Sequence, residues 1–476
     1  MSLQQKHLEA LETPQYWDSK IDQLLKNIKT DITGSCWHAS ELESIILQKK
    51  ESLEKLSIDE KTKMPLYGLS IGMKDLFCIK GTKTTAGSKI LENFISPYDS
   101  TVWSTLESKG GLLAAKLAMD EFAMGSFSNT SYLGKVSIPG FPERTAGGSS
   151  GGSGAALKAD LVDFTVGSDT GGSVRLPASF CSVVGYKPSY GAFSRYGMIA
   201  YASSLDQAGF LTKTLQDVKY LLDSGISVKD SKDMTAKGLS LMLQPSKTGK
   251  IGYFPSLLND EAIQIEVRNA YSQCLDEMKQ AGFSLEPVSI PYMKEAAQIY
   301  YIIACSEASS NLAKFQGVFT GKKLVEENFT GTFWEQAAQY RAKYFGVEVQ
   351  KRIILGSYIL SAENFTAMYQ KAAKLRSALK EEFAHVFMKV DSLVLPVSPM
   401  VAPLWSDIEK MTSAQIYMSD FMTVPFSLAG LPALSVPWYK NAQGLGIGMQ
   451  WVGKPMEDYE LIEQVINVEH VLNKLY

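Results

Sequence analysis

Residues 166–177 read VGSDTGGSVRLP, and residues 146–156, a short way upstream, read AGGSSGGSGAA. The apolar FTV of residues 164–166 enters the first stretch as a strand and a helical start leaves it, so the chain turns from strand to helix around Ser173. Turns of this kind join strands to helices in α/β proteins. Their glycines serve one of two ends. They let backbones pass closely because Cβ is missing, or they leave amides free to face a ligand.

Outward from these loops, short apolar strands alternate with helical segments. Residues 67–75 (YGLSIGMKD), 111–117 (GLLAAKL) and 163–169 (DFTVGSD) read as strands, with helices expected over 101–109 and 152–159. Further strands are expected over 250–254, 392–397, 433–437 and 446–453, and long helices over 260–281, 333–356 and 362–390. The fold class is therefore α/β, a mixed β-sheet flanked by helices. Ser40 with Glu43 makes a capping-box pattern ahead of apolar residues at helical spacing. Residues 1–60 accordingly read as an N-terminal helical appendage and 61–476 as the main domain, with a soft, Lys-rich segment at 229–250.

The 476 residues are 45% hydrophobic and 20% charged, which suffices for a large core. With 47 basic against 50 acidic residues and no dense Lys/Arg block, a stand-alone nucleic-acid binder is disfavoured. Cys36, Cys78, Cys181, Cys274 and Cys305 are odd in number and irregularly spaced, so they read as buried thiols in a reducing compartment. The N-terminus has no apolar core of signal-peptide type, and no apolar run nears the roughly 18 residues a membrane span needs. The expected location is the cytoplasm, with no membrane partner.

A phosphate cradle of P-loop type requires a Gly-Lys-Ser/Thr ending that neither loop has, and GLGIGM at 444–449 lies inside a strand-like run. Nucleotide binding is disfavoured, and no metal or flavin site is visible. Ser173 is the candidate nucleophile, because the amides of Thr170, Gly171 and Gly172 beside it are free to stabilise a developing oxyanion. A serine needs a base. His7 and His38 lie in the N-terminal region, and His385 and His470 lie in helical patterns near the C-terminal end, so none is recommended. A buried lysine is the other route, since desolvation lowers an ammonium pKa. Lys74 ends the strand LSIGMK between Met73 and Leu76, and is the best placed.

GMKD (72–75), GGSSGGS (147–153) and GSDTGGSVRLPASFCSVVGYKPS (167–189) together resemble the amidase signature hydrolases. The resemblance implies a Ser-Ser-Lys triad: Ser173 as nucleophile, Lys74 as base and Ser149 as the relay between them, following a non-proline cis peptide. Lys74, Ser149 and Ser173 stand 75 and 24 residues apart, the separations that the resemblance leads one to expect. The oxyanion hole then falls to the amides from Thr170 to Ser173.

The likeness extends from residue 60 onward. SKILENFISPYDSTV, MDEFAMGS, YGAFSRYGMIAYASSLDQAG, EASSNLA, KRIILGSYILSA and SLAGLPALSVP resemble the branch of the family that forms the A subunits of glutamyl-tRNA(Gln) amidotransferases. That branch hydrolyses glutamine and passes ammonia to partner subunits. The resemblance implies partners of the B and C type, with ATP and Mg and the Glu-tRNA(Gln) handled by the partner and no cofactor in this chain. It also assigns Arg352, in KRII, to the substrate α-carboxylate and Asp420, in MSDFMTVP, to the α-amino group. An Asp169–Arg175 ion pair is expected to hold the nucleophile loop. The sequence departs from the branch pattern at Leu117 and Ala118, where Thr-Asn is usual, and at Leu176, where glutamine is usual. It departs again in SIPGFPERTA (137–146) and GVFTG (317–321). A stand-alone amidase for another small amide, and a catalytically idle scaffold, are the alternative readings.

Overall fold

The computed structural model describes residues 1–13, 16–240, 249–318 and 323–474. Its strands, in chain order, are β1 (Cys36–Trp37), β2 (Ser70–Lys74), β3 (Leu112–Leu117), β4 (Ser137–Ile138), β5 (Phe141–Thr145), β6 (Phe164–Asp169) and β7 (Val184–Lys187). They continue with β8 (Gln207–Thr212), β9 (Lys250–Tyr253), β10 (Ser284–Pro287), β11 (Ser392–Pro396), β12 (Ala433–Lys440) and β13 (Gly446–Val452). Eleven of them form one sheet in the order β1-β3-β2-β6-β8-β7-β12-β13-β11-β9-β10, while β4 and β5 make a separate hairpin.

The sheet is mixed, as expected. β2 runs parallel to both β3 and β6, whereas β8, β7, β12 and β13 pair antiparallel. The central strands are buried on both faces, which is why they read as continuous apolar runs and not as alternating ones. Ligand sites of such sheets form beyond the carboxyl ends of parallel strands. Here β2 ends at Lys74 and its neighbour β6 ends at Asp169, directly ahead of Thr170 to Ser173.

The helix Gly151–Lys158 packs across β2, β3 and β6. Its approach needs glycine: a Cβ on Gly152 would lie 2.5 Å from the backbone N and O of Ala118. That accounts for the small residues of this loop, because larger ones would push the helix off the sheet and the loop's serines away from Lys74.

Several boundaries move for identifiable reasons. The helix expected over 333–356 breaks into Phe333–Tyr344 and Val347–Ile359, because the Gly346 amide donates at 2.8 Å to Oε2 of Glu121 and leaves the helical ladder. Residues 362–390 hold the helix Lys371–Val386, preceded by a π-helical turn at Thr366–Gln370. The helix expected from 260 begins at Ile265, where the Gln264 amide donates to the Pro399 carbonyl and its Oε1 accepts the Val401 amide. The first helix after β1 starts at Ala39 with His38 in left-handed conformation at its N-cap, so Ser40 stands inside it and not at its cap. β7, β8 and β10 escaped the strand reading; the first two are short, glycine-containing and wholly buried.

The N-terminal residues share the main core. Trp17 is fully buried edge-on to Tyr67, with ring centroids 6.0 Å apart. Asp163, at the start of β6, accepts Lys6 at 2.7 Å and Lys20 at 2.6 Å, and the Ser70 amide at 2.6 Å. β1 adds an antiparallel edge to β3, a strand that the helical reading of this region left out. All five cysteines are free, four of them buried and Cys36 partly so. Residues 241–248 of the Lys-rich segment, and residues 319–321 of GVFTG, lie outside the described residues.

Candidate active site

Lys74, at the end of β2, is fully buried, and its Nζ meets three hydroxyls and no described carboxylate at ion-pair distance: Ser149 Oγ at 2.7 Å, Ser150 Oγ at 2.8 Å and Ser168 Oγ at 2.9 Å. Burial pushes its pKa down to about 7, against the opposing pull of Asp120, Asp169 and Asp206. A neutral amine in this cage donates two hydrogen bonds and accepts one, so it can take a proton from a serine hydroxyl. Ser150 and Ser168 were not singled out in the sequence. Their signal was position: one follows Ser149 directly, and the other stands one residue before Asp169 on the strand beside Lys74.

The peptide bond between Gly148 and Ser149 is cis, as the resemblance implied. The loop around it is set by Asp120, which accepts the amides of Ser128, Asn129 and Thr130 at 2.9, 2.9 and 3.1 Å. The Asp120 amide in turn donates to the Ser149 carbonyl at 3.1 Å. A Cβ on Gly148 would stand 2.1 Å from Asp120 Oδ2, so only glycine fits there.

Ser173 is half-buried, unlike Lys74 and Ser149, which are fully enclosed. Its carbonyl accepts the Ser150 amide at 3.1 Å, which joins the two loops beside Lys74. No described acceptor takes the amides of Gly171, Gly172 or Ser173, so these donors remain available to an oxyanion. Thr170 is held by its hydroxyl, donating to Asp206 Oδ1 at 2.7 Å.

The expected Asp169–Arg175 pair is present, fully buried, with Nη2 to Oδ1 at 2.8 Å and Nε to Oδ2 at 3.0 Å. Burial alone would raise the Asp169 carboxyl; the charge and hydrogen bonds of Arg175 outweigh it and hold the group below its ordinary value. Arg175 also donates to the Thr423 carbonyl at 2.9 Å, to Gln450 Oε1 at 2.5 Å and to Ser427 Oγ at 2.8 Å. The nucleophile loop is thereby tied to the segment that follows Asp420.

Arg352 lies on the helix Val347–Ile359 and is 4% exposed. Its guanidinium sits 5.5, 5.2 and 5.5 Å from the ring centroids of Tyr201, Tyr301 and Tyr417, donates to the Tyr201 hydroxyl at 2.6 Å and pairs with Glu348 at 2.8 Å. This aromatic box was not legible, since its members come from three separate parts of the chain. Asp420 is half-buried and accepts Ser126 Oγ at 2.7 Å. Burial pushes its pKa up to about 7, with the Ser126 hydrogen bond and the charge of Arg352 drawing it down.

Both groups converge on the nucleophile loop. Thr423, three residues past Asp420, donates its hydroxyl to the Gly171 carbonyl at 2.5 Å. From the other side Tyr300, next to Tyr301, stands where a Gly171 Cβ would be only 2.7 Å from its Cζ. A cation, a carboxylate, a serine hydroxyl and free amides are thus assembled from distant segments. The histidines take no part in this cluster: His7 Nδ1 lies 2.9 Å from the Tyr67 carbonyl, His38 lies 3.7 Å from Asp75, and His385 and His470 close two helices.

The departures are placed as well. Leu117 is paired with Lys74 across the parallel register and is fully buried. Ala118 is bound through its backbone to Ser35 and Gly152, and Leu176 is buried with its amide on the Gly172 carbonyl at 2.8 Å. Residues 137–145 form the β4–β5 hairpin. Among the described residues, no group of three or more His, Cys, Asp or Glu could hold a metal ion.

Fold and site together are those of an α/β enzyme equipped for serine attack on a carbonyl. Comparison with known proteins gives the particular group: the family model described as Amidase matches residues 21–462, and the chain belongs to this family. It is 41% identical over 431 residues to the A subunit of glutamyl-tRNA(Gln) amidotransferase from Prochlorococcus marinus (strain MIT 9312), covering 89% of this chain and 88% of that one. Against the corresponding A subunit of Zymomonas mobilis it is 42% identical over 414 residues, with 85% and 84% covered. The crystal structure of the A subunit from Thermotoga maritima superposes with a TM-score of 0.71 at 33% identity, over 93% of this chain and 92% of that one.

Proposed function

We propose that this chain is the glutaminase component of a tRNA-dependent amidotransferase, hydrolysing glutamine to supply ammonia for converting Glu-tRNA(Gln) to Gln-tRNA(Gln). The observation that carries the reading is that Arg352, in its tyrosine box, and Asp420 both lie beside the loop of Ser173, which Tyr300 and Thr423 contact from either side. One cation and one carboxylate suit the α-carboxylate and α-ammonium of a free amino acid, leaving its side-chain amide toward the nucleophile. The likeness to named A subunits across most of the chain supports the same conclusion.

In this mechanism the Lys74 amine takes the Ser149 hydroxyl proton while Ser149 takes that of Ser173, and Ser173 Oγ attacks the side-chain carbonyl. The amides from Thr170 to Ser173 hold the oxyanion. As the intermediate collapses, the relay returns its proton to the departing nitrogen, and ammonia leaves. Water then enters and attacks the Ser173 ester as it gives a proton to the same relay, which passes it to Ser173 Oγ as the ester bond breaks and glutamate leaves. Partners of the B and C type would receive the ammonia, and their active site would use the ATP and Mg. The cytoplasm is the compartment we infer. Among the described residues no helix is long and apolar enough to cross a membrane.

The test is ammonia release from glutamine by the chain alone and with B and C subunits, ATP and Glu-tRNA(Gln), in wild type and in Ser173→Ala. Release that rises on assembly and vanishes in the variant is expected. Turnover of other small amides without assembly would replace this reading with a stand-alone amidase. Absence of Ser173-dependent turnover of any amide would leave a scaffold.

A further inference from the structure

A second polar cleft opens behind the substrate groups, between the helices Ala296–Asn311 and Lys371–Val386. It has a volume of about 570 Å³, with Lys237, Arg376 and Lys380 on its walls beside Glu307, Tyr369 and Ser204. A smaller recess of about 240 Å³ shares Ser204, Glu307 and Tyr369 and continues to Asn311. We propose that this cleft binds a free acidic amino acid, L-glutamate, and that its occupancy regulates the amide-hydrolysing site; the choice of glutamate rests on the function proposed above, since glutamate is that reaction's product.

The charge pattern carries the argument. No described carboxylate lies within ion-pair distance of Lys237, Arg376 or Lys380. Arg376 is nevertheless held in place: Nε donates to the Leu428 carbonyl at 2.8 Å, Nη1 to Ser204 Oγ at 2.7 Å and Nη2 to the Ser204 carbonyl at 2.8 Å. The terminal nitrogens each retain a further donor. Arg376 and Lys380 stand one turn apart on the helix Lys371–Val386 and both line the cleft, so an anion bound there would meet both charges. Glu307 accepts the Ser204 amide at 2.8 Å and supplies a negative charge on the wall. Three cations and one carboxylate complement two carboxylates and one ammonium, the charges of a dicarboxylic amino acid. Glutamine has one carboxylate fewer and matches less well.

The cleft reaches the site through a short segment. Ser204, held by Arg376 and Glu307, lies between Tyr201, whose hydroxyl accepts Arg352, and Asp206, whose carboxylate accepts Thr170. Asn311 Nδ2, in the recess, donates to the Tyr201 carbonyl at 3.1 Å. A ligand that shifts Ser204 therefore bears on the carboxylate-binding arginine and the oxyanion loop together. Coupling of this kind is reciprocal, so glutamate in the cleft and amide substrate in the site change each other's affinity by one factor.

The experiment is calorimetric titration of L-glutamate, L-glutamine and inorganic phosphate into the full chain carrying Ser173→Ala and Asp420→Ala, which removes turnover and the amino-group contact of the first site. Glutamate is expected to bind, with glutamine and phosphate weaker, and Lys380→Ala added to this background is expected to weaken glutamate by about tenfold or more. In the turnover-competent chain, glutamate should raise the apparent KM for the amide to a finite limit, where a ligand competing for the active site itself would raise it without limit. Lys380→Ala should lose that inhibition while keeping the uninhibited rate. Glutamate affinity untouched by Lys380→Ala, phosphate binding as tightly as glutamate, or purely competitive inhibition would each overturn the proposal. The titration decides it even where the chain turns over some amide other than glutamine, so a failure of the cleft and a failure of the glutaminase reading are separable.

Discussion

Lys74 and Lys116 are both fully buried, and they sit on adjacent parallel strands with Met73 paired to Lys116 and Lys74 to Leu117. Lys116 faces an acid: its Nζ is 3.1 Å from Asp75 Oδ1, with the Phe77 carbonyl at 2.8 Å and Thr84 Oγ1 at 3.2 Å. Lys74 faces only hydroxyls. Burial is the same, and the partner decides the chemistry. An amine matched with a carboxylate stays an ion pair; one matched with hydroxyls can lose its proton near neutrality and serve as a base. Asp75 follows Lys74 in the chain, yet it serves Lys116, because successive strand residues point to opposite faces. Burial would raise the Asp75 carboxyl, and Lys116, with lesser help from His38 and Thr85, holds it below its usual range.

The comparison breaks most visibly at Lys74. Lys74→Met should lower amide hydrolysis by about 10⁴-fold while changing the melting temperature little, because the relief of a desolvated amine is offset by the hydroxyls left without it. Lys116→Met should do the reverse. Asp75 becomes a buried charge without its partner, and urea unfolding should show a loss of about 3–5 kcal/mol. Adding Asp75→Leu to that variant should recover most of the loss, since no charge is then stranded.

A smaller effect is expected at Asp420, the proposed partner of the substrate ammonium. Asp420→Asn should raise KM for glutamine by about 30- to 100-fold with a lesser change in kcat, read from initial rates, because a charge-assisted contact to the ammonium is lost. A fall in kcat at unchanged KM would count against Asp420 as the amino-group partner.

The smallest effects are read in pH. The free-amine fraction of Lys74 grows as pH rises through about 7, so acylation should climb about tenfold per unit below that value and level off above it. Stability carries the same signature. Between about 7 and 10.5 an unfolded chain keeps its lysine protons while folded Lys74 does not, so folding gains up to about 1.4 kcal/mol per pH unit as pH rises. Lys187, also buried and brought down to about 7 chiefly by burial and then by Arg175, adds a second such slope. Denaturation of Lys74→Met across this window should show about half the slope that these two lysines give the wild type.

Much of the site could be read from spacing and residue type. GMKD, the two serine loops and the Asp169–Arg175 bracket fall within local segments whose strand-to-helix character is visible in hydrophobic pattern and glycine content. The rest was not local. Ser126, Tyr201 and Tyr301 meet Asp420 and Arg352 from distant parts of the chain, and nothing in their own neighbourhoods marks them, whereas Glu348 stands one helical turn before Arg352. The break at Gly346 had the same cause, a carboxylate arriving from residue 121 to take an amide that local propensity assigns to a helix.

The sequence by itself determined the α/β class and the buried strands, because these depend on residue type and short-range periodicity; Ser173 and Lys74 became candidates through the joint pattern of the loops and the family resemblance. The tertiary structure alone decided which acid neutralises which lysine, where the cation box for Arg352 closes and how residues 1–60 join the sheet. Charges and hydrogen bonds act over a few ångströms of space, and separation along the chain does not enter that distance.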